Sequence, residues 1–190
     1  LRKARFPGKL YIVSRMGPTA DRIMDAAFAC AQEGPDFTMA DVARAAGLSR
    51  QGVYLHFPDR KTLLVALALR AREEHPATRI GEAPSARAAL TAAVTRCAEI
   101  YPKVWPVVRA LQALEDQTGE RPALPGYRSL AERFRDEGAL AAHLSPQTAG
   151  DLLATLLSLS VWKELVLGCG WDSARYKSHI GFLAAAAITR

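Results

Sequence analysis

TMADVARAAGLSRQGVYLHFPDRKTLL, residues 38–64, reads as two short helices about a tight turn, with a third helix closing behind them. Thr38 is a good N-cap, and Asp41 three residues on favours both the cap and the positive end of the helix dipole. Val42, Ala45 and Ala46 give this first helix an apolar face, while Ala43 is small enough for close packing. Gly47 ends it, because glycine tolerates the left-handed conformation that closes a helix. Leu48 plugs the turn and Ser49 caps the next helix, so the linker is only a few residues long, which is helix-turn-helix geometry. Val53 and Phe57 supply the second helix's inward face, leaving Tyr54 and His56 near its outer edge, and Pro58 stops it. A glycine inside a helix costs about 1 kcal/mol relative to alanine. Gly52 therefore predicts that another surface comes close at that point.

Asp59 caps the following helix and places Arg60 and Lys61 in its first turn. Cations there oppose the macrodipole by about 0.3 to 1 kcal/mol. A bound phosphate reverses that sign, since free N–H groups at a helix start hold anions and nearby cations then add to the site.

The run resembles the DNA-binding domain of the TetR family of transcriptional regulators. The resemblance rests on Ala46-Gly47-Leu48 at the turn, Tyr54-Leu55-His56-Phe57 in the recognition helix and the following Lys61, a composite of about twenty-five positions. It implies an all-α fold, a three-helix helix-turn-helix domain followed by a helical bundle, with about nine helices. It implies phosphate contacts from Thr38, Ser49, Tyr54, His56 and Lys61. It also implies base-facing positions at Met39, Arg50, Gln51 and Gly52. Arg50 and Gln51 are side-chain types that read guanine and adenine edges in the major groove.

Charge placement agrees. Of the formal net charge of +6, residues 1–72 carry all of it, with 12 Lys+Arg against 6 Asp+Glu, while the remainder has 13 of each. A polyanion partner for the first part is the physical expectation. The chain of 190 residues, 49% hydrophobic and 23% charged, has an ordinary globular composition. Cys30, Cys97 and Cys169 are far apart and lack metal-ligand spacing, so neither a disulfide framework nor a metal site is expected, and a reducing cytoplasm fits. No membrane span, cofactor or catalytic residue is expected.

The organisation expected is a basic arm over 1–17, a DNA-binding domain over 18–74 and a helical domain over 85–190. The arm, rich in Arg and Lys without an acid, suits a groove or phosphate backbone; the alternative is a tail, or residues upstream of a natural start at Met16. Pro18 to Glu33 is a helix capped by Thr19, with Ile23, Met24, Ala27, Phe28, Cys30 and Ala31 as its apolar stripe. The helix after Asp59 runs to about Glu74 and, by the resemblance, links the two domains mechanically. Pro76, Gly81 and Pro84 mark the linker. Further helices are expected at about 86–101, 102–119, 127–144, 147–167 and 172–189.

In the second half, Tyr101, Trp105, Arg109 and Gln112, with His143 and Trp162 from later helices, are candidates for an effector pocket. The resemblance places such a pocket between the helices, and this mixture of aromatic and polar groups suits a small organic molecule. Leu156, Leu159, Tyr176, Ile180, Leu183, Ala184 and Ala187 in the last two helices form a candidate homodimer interface. The reading is a transcriptional repressor, released from a palindromic operator in double-stranded DNA by a small effector. The alternatives are a non-specific DNA-binding protein, or an all-helical enzyme using His143 with Glu115 or Asp116, or Cys97 with a histidine. Arg50→Ala is expected to relax preference at one base position, and Tyr54→Ala to weaken all duplexes alike. Binding of the two variants to a panel of single-base operator changes checks this division.

Overall fold

In a computed structural model, which describes residues 17–74, 78–114 and 125–190, residues 38–64 do form the expected helix pair and its closing helix. The arm through residue 16, the acids Glu115 and Asp116, and the end of the helix expected over 102–119 lie outside the described residues. The chain is all-α. It divides into two compact units, one made of the chain through Arg70 with Pro106–Asp116, the other of Ala71–Trp105 with Gln117–Arg190, each as far as described. Among the described residues the only strand-like pairing is an isolated antiparallel bridge between Leu140 and Thr189. No described helix is long and apolar enough to cross a membrane.

The first unit begins with α1 (Pro18–Glu33), α2 (Met39–Ala45), α3 (Arg50–His56) and α4 (Arg60–Glu74). Its core joins Ile23, Met24 and Ala27 of α1 to Val42, Val53, Phe57, Leu63 and Leu64. Burying each large apolar side chain contributes roughly 1.5 to 3 kcal/mol, more than any single cap. Two local expectations are corrected here. Gly17, not Thr19, is the N-cap of α1, with Pro18 in the first position and no side-chain cap; proline has no N–H there and leaves one fewer donor to satisfy. The inward face of α2 is Met39, Val42, Ala43 and Ala46, with Ala45 exposed.

In the second unit, α5 (Thr78–Gly81) precedes α6 (Ala86–Gln112), α7 (Pro125–Asp136), α8 (Pro146–Leu156), α9 (Leu159–Trp162) and α10 (Ser173–Ile188). The break expected at Pro102 is absent, because α6 runs unbroken across Pro102 and Pro106. Each proline removes a ladder hydrogen bond, but Cys97, Ala98, Ile100, Val107 and Ala110 are buried around them, and that packing holds the helix together. Its last turns, from Pro106, belong to the first unit. The helix expected to reach Leu144 stops at Asp136, where Gly138 takes φ 67° and the N–H groups of Ala139 and Leu140 both return to the Phe134 carbonyl. Glu137 then caps α6 by accepting from the Ala86 N–H at 2.8 Å, and Arg133 donates to the Ile80 and Ala83 carbonyls.

The helix expected over 147–167 is interrupted. Leu157 leaves helical geometry, Ser158 caps α9 through the Val161 N–H, and α9 widens into a π-helical turn over Lys163–Gly168. The serine competes locally with the helix ladder, which is why apolar periodicity alone did not mark the break.

The capping box at Thr38 generates a pH-dependent prediction. Thr38 Oγ1 accepts from the Asp41 N–H, while the Thr38 hydroxyl and backbone N–H both donate to the Asp41 carboxylate, and these two bonds to the carboxylate hold it below the usual carboxylate range. A folded-state pKa lowered in this way adds stability above the unfolded value near 4, and that stability is lost as pH falls through the folded value. Thr38→Ala is expected to lower stability by about 1 kcal/mol at neutral pH, and denaturant unfolding at pH 7 and pH 3 should show the difference shrinking in acid.

Candidate nucleic-acid interface

The turn that aims α3 is closed by three backbone features. Gly47 sits at φ 62°, the Leu48 N–H reaches the Ala43 carbonyl at 2.9 Å, and Ser49 Oγ accepts from the Gly52 N–H at 3.0 Å. Val53 and Phe57 are buried. They turn the opposite side of α3 outward, so that Arg50, Gln51, Tyr54 and His56 are all exposed, Tyr54 by 49%. Gly52 has a local reason as well: a Cβ there would lie 3.3 Å from the Ser49 hydroxyl that caps the helix.

Around this helix the other expected contacts separate into groups. Ser49 is exposed and its Oγ accepts from the backbone, which leaves the hydroxyl hydrogen for an outside acceptor. Thr38 is exposed, with its hydroxyl hydrogen directed to Asp41. Lys61 is exposed in the first turn of α4. Its neighbour Arg60 is spoken for: it donates to the Pro35 carbonyl, and its guanidinium lies 4.5 Å from the Phe37 ring centroid, fixing α4 against the loop ahead of α2. Met39 does not match its expected role. It is only 7% exposed and packs in the core, because at the first position of α2 an apolar thioether falls on the inward face with Val42 and Ala43. Leu55, not singled out from sequence, is 81% exposed.

The expected effector residues do not converge as a set. Arg109 and Gln112 fall in the first unit, where Arg109 donates to the Ala31 carbonyl at 3.0 Å and Gln112 is exposed. Their i, i+4, i+7 spacing from Trp105 was real, but α6 changes units after Trp105. His143 is exposed. Tyr101 and Trp162 do meet, with ring centroids 6.1 Å apart, and Trp105 lies beneath the Lys163 ammonium at 5.6 Å.

What the second unit gathers instead is a polar cluster within its apolar core. The Cys97 sulfur lies 3.5 Å from Tyr101 Oη, 3.6 Å from Tyr127 Oη and 3.7 Å from the Leu157 carbonyl. Tyr101 donates to that same carbonyl. The carbonyl is available because the Val161 N–H is taken by Ser158 Oγ, a consequence of the helix break. Tyr176 is fully buried, and its hydroxyl has no hydrogen-bond partner. Burial raises the pKa of Tyr101, Tyr127 and Tyr176 well above the phenol range and raises that of the Cys97 thiol. The cluster is therefore neutral, and a protonated thiol is a poor nucleophile, so Cys97 has no activated form here. Among the described residues no His, Cys, Asp and Glu side chains group as a metal site.

The outward helix faces also differ from expectation. Tyr176, Ile180 and Ala184, with Ile188, form the buried face of α10 against its own unit, since the i, i+4, i+8, i+12 repeat is the inward stripe. Phe182 at 72% and Leu183 at 47% are exposed on α10, and Leu152 is exposed on α8. Leu156, Leu159 and Ala187 are partly buried.

Residues 23–67, which span α1 through most of α4, match the family described as bacterial regulatory proteins, tetR family. That match is confined to the helix-turn-helix unit. Members of that family are DNA-binding transcriptional regulators, many of them ligand-responsive, and not enzymes. The fold is that of SmeT, the repressor of the Stenotrophomonas maltophilia multidrug efflux pump SmeDEF, at TM-score 0.68 and 22% identity over 92% of each chain. A SmeT–triclosan complex gives TM-score 0.68 and 18% identity over 90% of this chain and 92% of that one. A TetR-family regulator from Rhodococcus sp. gives TM-score 0.62 and 23% identity over 90% and 98%. No curated protein matches the chain by sequence.

The buried cluster of the second unit yields a stability prediction. Tyr176→Phe removes an unpartnered buried hydroxyl and is expected to raise stability by about 1 kcal/mol, whereas Tyr101→Phe removes the donor to Leu157 and is expected to lower it by a similar amount. Denaturant unfolding of the two variants checks the opposite signs.

Proposed function

We propose that the chain is a homodimeric transcriptional repressor that binds a palindromic operator and leaves it when a small molecule enters the helical unit. The observation that carries the reading is the exposed face of α3, with Arg50, Gln51, Tyr54 and His56 set outward on a capped, core-anchored helix and Lys61 exposed on the helix that follows. Guanine and adenine edges in the major groove match Arg50 and Gln51, and Tyr54, His56, Ser49 and Lys61 suit the flanking phosphates. The positive charge concentrated in residues 1–72 adds a sequence-independent attraction that weakens with salt.

The outward faces of α8 and α10, with Leu152, Phe182 and Leu183 exposed, support pairing of two copies through these helices, joined by Leu156, Leu159 and Ala187 at the margin. A two-fold pair presents two α3 helices to half-sites about 10 base pairs apart. For the effector, the Cys97, Tyr101, Tyr127 and Tyr176 cluster beside Trp162 replaces the pocket expected from sequence. Its groups are neutral and partly unsatisfied, which favours an uncharged ligand with a hydrogen-bonding group on an apolar body. SmeT, a repressor, has been captured with triclosan, a small molecule, and the cluster suits ligands of comparable chemistry. Effector and operator oppose one another reciprocally, so each weakens the other's binding by the same factor. A cytoplasmic location goes with this role.

Selection of bound duplexes from a random pool by the full chain at physiological salt tests the reading. An inverted repeat is expected. Retention of all duplexes alike, abolished by random competitor, would indicate a non-specific DNA-binding protein instead.

A further inference from the structure

Leu55 is the most exposed large apolar side chain among the described residues, at 81%. Its place on α3 explains what such a residue is for. At about 100° per residue, Leu55 lies about 160° from each of the two buried anchors, Val53 and Phe57. It therefore stands at the pole of the outward face. Tyr54 and His56 flank it at about 100° on either side, and Gln51 lies about 40° away, one turn earlier. Gly52, about 60° away on the other side, offers no side chain beside it.

This arrangement sets polar-tipped aromatics as rails on both sides and leaves an apolar tip between them, with no side chain at Gly52 to crowd it. A major groove has the same cross-section: phosphate walls about 12 Å apart and a floor of base edges. On that floor the apolar feature is the thymine C5-methyl group. We propose that Leu55 packs against a thymine methyl and makes thymine the preferred base at one position of each operator half-site. The inference rests on the DNA-binding reading above and adds a base preference supplied by a residue outside the polar set. A second copy of the chain is a poor occupant of this face, because residues 1–72 carry 12 Lys+Arg against 6 Asp+Glu and two such surfaces repel.

The test uses the full chain and the operator recovered by selection, with each thymidine replaced in turn by deoxyuridine, which lacks only the methyl group. For the unsubstituted protein, one position per half-site is expected to bind about fourfold more weakly, the equivalent of one buried methyl at about 0.8 kcal/mol. Leu55→Ala, a change at an exposed position, should bind the normal operator correspondingly less tightly and be indifferent to deoxyuridine at that position. Equal sensitivity in both proteins, or sensitivity in neither, overturns the role of Leu55. So does dissociation of the free dimer by Leu55→Ala, which would make the side chain a protein contact. Failure of the unsubstituted chain to select any duplex is a separate result, and it removes the DNA-binding reading together with this one.

Discussion

Val53 and Phe57, buried on one side of α3, fix the rotation of that helix about its own axis. Every outward side chain is placed by that constraint, because a helix of 3.6 residues per turn has no freedom left once two residues of one stripe are anchored. The Gly47 turn and the Ser49 cap set where the helix begins, and Arg60 seats the next helix by its contacts with Pro35 and Phe37. The outward face is thus a by-product of core packing. Its polar residues contribute little to stability and are free to serve recognition.

The helical unit depends on an interruption. Ser158 ends one helix and starts another, and the Leu157 carbonyl turned loose by that break becomes the acceptor for Tyr101. Cys97 and Tyr127 gather around it, and the Tyr176 hydroxyl is left buried without a partner. An apolar core that retains an unsatisfied hydroxyl forgoes stability that phenylalanine would supply, and a ligand able to complete the hydrogen bond recovers it. Phe182 and Leu183 are exposed on α10, the helix whose buried face carries Tyr176, so the apolar surface and the unpartnered hydroxyl lie on different faces of one helix.

The helix-turn-helix was legible in the sequence because its signals are local. Thr38, Gly47, Ser49 and Pro58 each act within a few residues, and all four do in the structure what their chemistry implies. Met39 was misplaced because position relative to a family pattern says nothing about which way an apolar side chain turns at a helix start. Leu55 was overlooked for the converse reason, since an apolar residue reads as core until its angular place opposite Val53 and Phe57 is worked out. The second unit was less legible. Pro102 looked like a boundary, but burial on both sides of it outweighs the lost hydrogen bond, and Ser158 looked like part of a long helix. Tyr127 and Tyr176 meet Cys97 only through tertiary packing across 30 and more residues, which no spacing rule reports; Cys97 and Tyr101, four apart on α6, were the one part of the cluster that helical periodicity could have shown.

In the proposed repressor, the outward face of α3 enters the major groove twice per operator. Dimethyl sulfate protection measures this directly, because the reagent methylates guanine at N7 in the major groove and adenine at N3 in the minor groove. Guanine N7 protection is expected in two patches about 10 base pairs apart on one face of the duplex, lost with Arg50→Ala. Protection confined to adenine N3, or spread evenly along the duplex, would contradict it.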